Sequence, residues 1–182
     1  MKGTAVNLVK GVIDMNNITL IGMPGVGKST IGRLLGEKLG YQFIDSDHLI
    51  EKIEGRPLSR IIDEEGDDGF LEIENKVNSE IEVKNTVIAT GGSAVYGTEA
   101  MEHFKEIGIV VYLYCSFEIL DRRLSDLHAR GVVLRPGQTL YDLFVERTVL
   151  YDKYADIVVN ADGVEVDETI DYLMSSLSKM KF

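Results

Sequence analysis

Residues 17–30 read NITLIGMPGVGKST, and this stretch decides the fold class. A short β-rich apolar run ends at Gly22, and the eight residues from Gly22 to Ser29 fit the pattern G-x-x-x-x-G-K-[ST]. Apolar residues then recur at helical spacing as far as Leu39. The order therefore predicts a strand, a glycine loop and a helix, which is the context that makes this motif specific for a phosphate-binding loop, or P-loop.

Each residue type in this motif has a different role in binding a nucleotide. Gly22, Gly25 and Gly27 let the backbone bend so that successive N–H groups point inward at an anion. Lys28 is placed to reach the β- and γ-phosphates, and Ser29 to put its hydroxyl on Mg²⁺. The alternative, a glycine-rich turn with a chance lysine, is disfavoured by the strand before the loop and the helix after it.

Strands and helices alternate along the rest of the sequence. Five apolar runs predict strands, at 17–22, 41–47, 85–92, 109–116 and 156–161. The segments between them show helical periodicity, and the longest, at 58–83, breaks near Gly66. Several runs are apolar throughout, as in parallel strands that helices cover on both faces. The pattern predicts one α/β domain at 16–182, with residues 1–15 as an N-terminal extension.

Composition argues against several kinds of partner. The formal net charge of −11 argues against nonspecific nucleic-acid binding, which needs a basic face. No apolar run approaches the roughly 20 residues of a membrane span. The single cysteine, Cys115, excludes an internal disulfide and fits a reducing compartment. We therefore expect a cytoplasmic protein without nucleic-acid or membrane partners, and we expect a monomer.

Two acids close the second predicted strand, which ends FIDSD. Alternate residues of a strand face the same way, so Asp45 and Asp47 are predicted to share a side at the carboxyl edge of the sheet, where ligands bind in such folds. Phosphoryl transfer needs a carboxylate near the metal, and this pair offers one acid for Mg²⁺ and one for an acceptor hydroxyl. The alternative is two solvated acids in a loop.

Arg147 is unusual for its position in a predicted helix. It lies one heptad from Leu140 and three residues from both Phe144 and Leu150, which puts a guanidinium on or beside the apolar stripe. Burying such a charge is costly unless it is paired. The partner is either an acidic side chain or an anionic ligand, and the planar guanidinium suits a carboxylate in both cases.

Five stretches occur in order along the chain: GMPGVGKSTIGRLLGEKLG, FIDSD, GDDGF, ATGGSAV and ERTVLYDKYAD. Together they resemble the motifs of the shikimate kinases, from about Asn17 to the end of the chain. The resemblance implies a three-layer P-loop kinase fold with a five-stranded parallel sheet, a substrate-binding helical segment at about 46–76 and a lid at about 125–140. It also implies transfer of the γ-phosphoryl of ATP to the 3-hydroxyl of shikimate with Mg²⁺, a step of aromatic amino-acid biosynthesis.

The resemblance further assigns roles to single residues. Cofactor binding falls on Gly25, Val26, Gly27, Lys28, Ser29, Thr30 and, against the adenine, Arg123. Substrate binding falls on Asp47, Gly91, Gly92 and Arg147, with Arg147 on the shikimate carboxylate. Ser29 and Asp45 hold the metal. Lys28, Asp47 and a lid arginine, Arg130, are implied to be catalytic.

The sequence departs from the family pattern at three places. The family's second substrate arginine follows the phenylalanine of GDDGF, where this chain has Leu71, and the acid that steadies that arginine remains as Glu74. Ser93 stands where the family has a third glycine. The lid is shorter, and it offers Arg130 or Arg135 as its cation, of which we prefer Arg130. Losing an arginine contact costs roughly 1.5–3 kcal/mol for each charged hydrogen bond, so the acceptor is in question.

Three functions fit these residues. The first, which we prefer, is phosphorylation of shikimate with compensation for the lost arginine. The second is a related kinase whose acceptor is a hydroxy amino acid, with its carboxylate on Arg147 and its ammonium on Glu74, which would make Glu74 a substrate-binding residue. The third is a nucleotide-binding protein without acceptor chemistry, which would leave Asp47 without a role.

Overall fold

One parallel sheet organises the chain. The structure, a computed structural model, describes residues 17–124, 134–135 and 137–179. The strands are β1 (Asn17–Ile21), β2 (Gln42–Asp45), β3 (Thr86–Ala89), β4 (Gly108–Tyr114) and β5 (Ile157–Asn160). They form a five-stranded sheet in the order β2-β3-β1-β4-β5, and every pair is parallel. The predicted α/β architecture with five parallel strands is confirmed.

Helices connect and flank the strands. They are α1 (Lys28–Leu39), α2 (Ser46–Glu54), α3 (Leu58–Ser79), α4 (Thr98–Ile107), α5 (Phe117–Arg123), α6 (Leu140–Tyr154) and α7 (Val166–Lys179). A short 3₁₀ turn, Ala94–Tyr96, follows β3. Helix α1 packs against β3 and α7, and α3 packs against α4. These contacts bury the apolar stripes that the helical periodicity predicts.

The central strand carries the core and fixes where the site lies. All five residues of β1 are buried, and Ile18, Leu20 and Ile21 have no solvent exposure. Leu20 lies in register with Ala89 of β3, and Ala89 lies in register with Asp45 of β2. Because parallel strands end at a common edge, the loop after β1 and the residues that follow β2 and β3 meet there.

Helices α2 and α3 share a second, smaller hydrophobic cluster, formed by Ile50, Ile61, Phe70 and Val77. The segment from 46 to 79 therefore has packing of its own beside the sheet. Gly66 interrupts α3 with φ 72° and ψ 179°, a conformation that glycine adopts without steric cost, and this confirms the predicted break.

Two predicted boundaries are wrong. Helix α3 ends at Ser79 and not near Val83, because Ile81 turns into the main core, where it is 4% exposed. Strand β2 ends at Asp45 and not at Asp47, because α2 begins at Ser46.

Several predictions fall on residues outside the described part of the chain. They are the N-terminal extension at 1–15, the lid arginine Arg130, and most of the lid, at 125–133 and 136. Among the helices that are described, none is both long and apolar enough to span a membrane.

Candidate active site

The loop between β1 and α1 has the geometry of an anion cradle. Gly22, Gly25 and Gly27 all have positive φ, at 143°, 79° and 108°. A Cβ at Gly22 would also lie 2.6 Å from the backbone oxygen of Leu113. Gly27 caps the N-terminus of α1 and has no side chain to occupy the N–H groups of the first turn. Those groups and the positive end of the helix are therefore free to bind phosphate.

Lys28 is the first residue of α1, and its ammonium is held at the loop. The side chain is buried, and Nζ donates to the backbone oxygens of Gly22, at 2.7 Å, and Met23, at 2.9 Å. Burial lowers the pKa of Lys28 to about 8, while the nearby Asp47 carboxylate opposes the decrease. Because this pKa stays above neutral pH, the Lys28 ammonium remains mainly charged there.

Ser29 and Asp45, which the sequence analysis predicts to hold a metal, lie in direct contact. Ser29 Oγ donates to Asp45 Oδ2 at 2.7 Å. Asp45 also caps α2, because its Oδ1 accepts from the backbone N–H of Asp47 at 3.1 Å. One hydroxyl and one carboxylate fit Mg²⁺, which prefers oxygen ligands and keeps waters and substrate phosphates in its shell. Within the described ranges, no cluster of three metal-ligating side chains offers a rival site.

Asp47 reaches the site by a different route from the one predicted. The alternation argument placed it on β2, but it lies in the first turn of α2, and the backbone turns at Asp45 before presenting it. The side chain still lines the main cavity. Burial raises the pKa of Asp47, and the Asp45 charge adds to the rise, while Lys28 opposes it. These effects make Asp47 a better proton acceptor than an exposed aspartate.

A cavity of about 470 Å³, the main cavity, joins these groups at the sheet edge. Its lining includes most of the predicted site residues: Gly25, Gly27, Lys28, Ser29, Thr30, Asp45, Asp47, Gly91, Gly92 and Arg147. Val26 is nearly fully buried, at 3% exposure, and lies outside this lining. Arg123 is exposed on α5 and also lies outside it, so its predicted adenine contact stays a prediction.

Arg147 projects from α6 into the main cavity, and it is only 6% exposed. Its Nε donates to the hydroxyl of Tyr96 at 3.4 Å, and the guanidinium carbon lies 5.4 Å from the centre of the Tyr96 ring. Among the ion pairs of the described residues, none includes Arg147. Of the two interpretations of this arginine, the arrangement favours an anionic ligand over an acidic side-chain partner.

The glycine pair after β3 is required by close contacts. A Cβ at Gly91 would lie 2.5 Å from Glu74 Oε1 and 2.7 Å from Asp47 Oδ1. A Cβ at Gly92 would lie 2.7 Å from Pro24 Cδ and 2.9 Å from Arg147 Nη1. A Cβ at either position would force one of these groups to move, and the two glycines bring main-chain atoms to the cavity wall.

Glu74 is not placed to bind the acceptor directly. It has no solvent exposure and lies behind Gly91, outside the lining of the main cavity. Burial raises its pKa to about 7, and the Ser93 hydroxyl beside it opposes that rise. Even so, neither carboxylate oxygen makes a hydrogen bond of ordinary geometry within the described residues. Glu74 therefore has no ordinary hydrogen-bond partner among the described residues, and its position gives no support to the hypothesis that it faces the acceptor.

This buried acid predicts a pH-dependent stability. Burial raises the pKa of Glu74 from its ordinary value of 4.5 to about 7 in the folded state, so the folded state binds the proton more tightly. Its contribution is fully present below about pH 4.5 and is lost as pH rises through about 7. Glu74→Gln removes this loss. From about pH 5 to about pH 8, the stability of Glu74→Gln should gain about 2–3 kcal/mol relative to the parent protein.

Urea denaturation of both proteins at the two pH values measures this difference. Glu72→Gln is the matched control, because Glu72 is exposed on the same helix. Curves for Glu74→Gln and the parent protein that stay parallel across this pH range would contradict the assignment.

Sequence reasoning missed two tyrosines and an apolar wall. Tyr151 is fully buried, and its hydroxyl donates to the backbone oxygen of Gly92 at 2.7 Å, which holds the glycine turn. It lies four residues after Arg147, so the helical spacing that singled out Arg147 could have found it. Tyr96, which contacts Arg147, carried no signal in the sequence. Leu58 and Ile62 line the main cavity from α3 and resemble any other core positions of an amphipathic helix.

The class of protein follows from the groups that share this cavity. They are a P-loop, a hydroxyl–carboxylate pair suited to a metal, a second carboxylate and an arginine. The protein is a P-loop kinase that transfers phosphate to a small molecule.

Comparison with known proteins supports this class and identifies the family within it. The sequence model of the shikimate kinase family matches residues 24–178. A shikimate kinase of Francisella tularensis subsp. holarctica is 40% identical over 172 residues, which cover 91% of this chain and 97% of the relative. Among solved structures, shikimate kinase from Acinetobacter baumannii in complex with shikimate is 36% identical, with a TM-score of 0.83 and coverage of 97% and 99%.

A second solved structure, shikimate kinase from Aquifex aeolicus, is 35% identical, with a TM-score of 0.76 and coverage of 88% of this chain and 95% of that one. The chain belongs to the shikimate kinase family. The predicted three-layer P-loop kinase fold is confirmed with it.

Proposed function

We propose that this protein transfers the γ-phosphoryl group of ATP to the 3-hydroxyl of shikimate. The observation that carries the proposal is the single cavity in which the P-loop, Asp47 and Arg147 meet. It is supported by the similarity to the Acinetobacter baumannii enzyme, which was solved in complex with shikimate. The P-loop would hold the phosphates in this cavity, and the Arg147 guanidinium that lines it would bind a carboxylate.

The reaction follows from these positions. Backbone N–H groups of the P-loop and the Lys28 ammonium neutralise the phosphates of ATP. The acceptor hydroxyl attacks the γ-phosphorus, the bond to the β–γ bridging oxygen breaks, and ADP leaves. Asp47 aligns the hydroxyl and accepts its proton, while Arg147 binds the acceptor carboxylate and fixes its orientation. This catalysis is mostly positioning and electrostatics, as is usual for phosphoryl transfer.

Ser29 and Asp45 are the residues that would hold Mg²⁺. The ion would supply positive charge to the β- and γ-phosphates when bound. Arg130 remains our choice for the cation that arrives with the lid, and Arg123 for the adenine contact. We also propose that the enzyme works as a cytoplasmic monomer. The single cysteine supports a reducing compartment.

The other two functions are less well supported. A hydroxy amino acid would need Glu74 as a partner for its ammonium, yet Glu74 is fully buried, lies outside the lining of the main cavity and has a pKa raised to about 7. A purely nucleotide-binding protein would have no use for Asp47 and Arg147 in one cavity with the P-loop.

An acceptor panel tests the proposal. ADP release is measured with shikimate, homoserine, threonine and serine, and calorimetry measures ATP binding with and without magnesium. We expect turnover with shikimate and magnesium-dependent binding of ATP. Binding of ATP without shikimate turnover would refute the acceptor alone, and folded protein without ATP affinity would refute the kinase.

A further inference from the structure

A second, smaller cavity of about 60 Å³ adjoins the main one, and we call it the side cavity. Phe70, Ser93 and Arg147 line both. The side cavity is also lined by Leu71, Tyr96 and Arg135. Two arginines, Arg135 and Arg147, therefore border one small space beside the main cavity.

Arg135 is held in this position by contacts to α6. Its backbone N–H donates to Gln138 Oε1 at 3.2 Å, and its backbone oxygen accepts from the N–H of Gln138 at 2.9 Å. Gln138 Nε2 in turn donates to Glu146 Oε2 at 3.0 Å. The Arg135 guanidinium lies 3.7 Å from Glu146 Oε1. The turn is thus anchored through its backbone, while among the described residues the charged end of Arg135 makes only a long ion pair.

Glu146 links the two arginines and leaves positive charge in excess. Its Oε1 accepts a hydrogen bond from the Tyr96 hydroxyl at 2.7 Å, and that hydroxyl accepts from Arg147. One carboxylate therefore serves two guanidiniums. Glu146 is not part of the lining of the side cavity, and the acid that does line it, Asp67, is exposed to solvent. Within the described part of the chain, both guanidiniums keep N–H donors without a hydrogen-bond partner, and an anion between Arg135 and Arg147 could accept from them.

The side chain of Arg135 is free to make that contact. It is 64% exposed, whereas Glu146 is 34% exposed, so moving the guanidinium from Glu146 to a ligand breaks only a weak, solvated pair. Leu71, which also lines the side cavity, carries no charge that would compete for the ligand. The apolar wall and the two guanidiniums match a ligand that carries a carboxylate on a hydrocarbon ring.

We propose that Arg135 is a specificity-determining residue, and that it and Arg147 together bind the carboxylate of the acceptor. The inference rests on the proposed function and deepens it by naming the second cation of the acceptor site. Arg135 acts on binding of the acceptor and not on the transferring phosphate, because it borders the side cavity and not the main cavity that the P-loop lines.

Arg135→Gln tests this role. We expect KM for shikimate to rise about 10- to 100-fold, which is the loss of one charged hydrogen bond. We expect kcat and the KM for ATP to change by less than about threefold. Arg33→Gln is the matched control, because Arg33 is exposed on α1 and borders neither cavity. An effect on kcat with unchanged KM for shikimate would instead place Arg135 at the phosphate and overturn the inference.

An acceptor without the carboxylate charge tests whether Arg135 contacts that carboxylate. With the carboxamide analogue of shikimate, the parent enzyme should lose most of its affinity, and Arg135→Gln should add less than about a threefold further loss, because the two changes remove one interaction. The double variant Leu71→Arg/Arg135→Gln should recover at least about fivefold in KM, since position 71 faces the same cavity. Equal losses with shikimate and its amide would refute the carboxylate contact. Absence of shikimate turnover in the parent protein would overturn the proposed function and this inference together.

Discussion

Asp47→Asn should lower kcat for shikimate about 100- to 10,000-fold, the range that positioned proton transfer contributes. The amide has nearly the same size, but it cannot accept the hydroxyl proton. Asp47 lines the main cavity, and burial and the Asp45 charge raise its pKa, so the parent side chain is suited to this role. Steady-state ADP release at saturating shikimate measures the loss.

ATP binding separates this effect from damage to the P-loop. Asp47 raises the pKa of Lys28, so the substitution lowers that pKa further below its present value of about 8. Calorimetry at about pH 6 keeps Lys28 charged in both proteins, and there the affinity for ATP should change less than about threefold. Asp171→Asn is the matched control, because it removes the same charge from a solvent-exposed pair with Lys38. A kcat for Asp47→Asn within about tenfold of the parent value would refute the proton-accepting role.

The fold and the phosphate cradle could be predicted because each depends on local sequence. The strand, loop and helix around Gly22 are specified by residues next to one another, and the three positive φ angles are those that glycine adopts freely. The alternation of strands and helices then leaves few arrangements other than a covered parallel sheet.

The acids after β2 show where the local argument fails. Asp45 and Asp47 do converge on one cavity, but strand alternation was the wrong reason. Asp45 ends its strand and caps the next helix by accepting from the N–H of Asp47. The sequence DSD supports either an extended strand or a helix cap, and only the packing of α2 decides between them.

Glu74 and Arg135 depend on contacts between distant segments. Glu74 is buried because the glycine turn after β3 covers it, which periodicity within α3 cannot show. Arg135 borders the same cavity as Leu71 although 64 positions separate them in the chain. The sequence identified Leu71 as a departure from the family pattern, whereas the cation that faces it became visible only in three dimensions.

Arg147→Met should lower kcat/KM for shikimate about 100- to 10,000-fold. Two charge-assisted hydrogen bonds to a carboxylate are worth roughly 3–6 kcal/mol, and each 1.4 kcal/mol is about tenfold. Methionine fills much of the same space, and replacing a buried charge by an apolar group is often neutral for stability. The loss should therefore fall on the acceptor, with the KM for ATP changed less than about threefold.

Two further measurements distinguish a contact between Arg147 and the acceptor carboxylate from a structural role of Arg147. Arg147→Lys keeps the charge but loses the planar guanidinium, so its kcat/KM should lie between those of Arg147→Met and the parent enzyme. With the carboxamide analogue of shikimate, both variants should approach the parent enzyme, because the charge that Arg147 binds is gone. Thermal unfolding checks that the contact with Tyr96 is not needed for folding. If Arg147→Met discriminates between shikimate and its amide as strongly as the parent enzyme does, then Arg147 does not bind the carboxylate, and the proposed orientation of the acceptor is wrong.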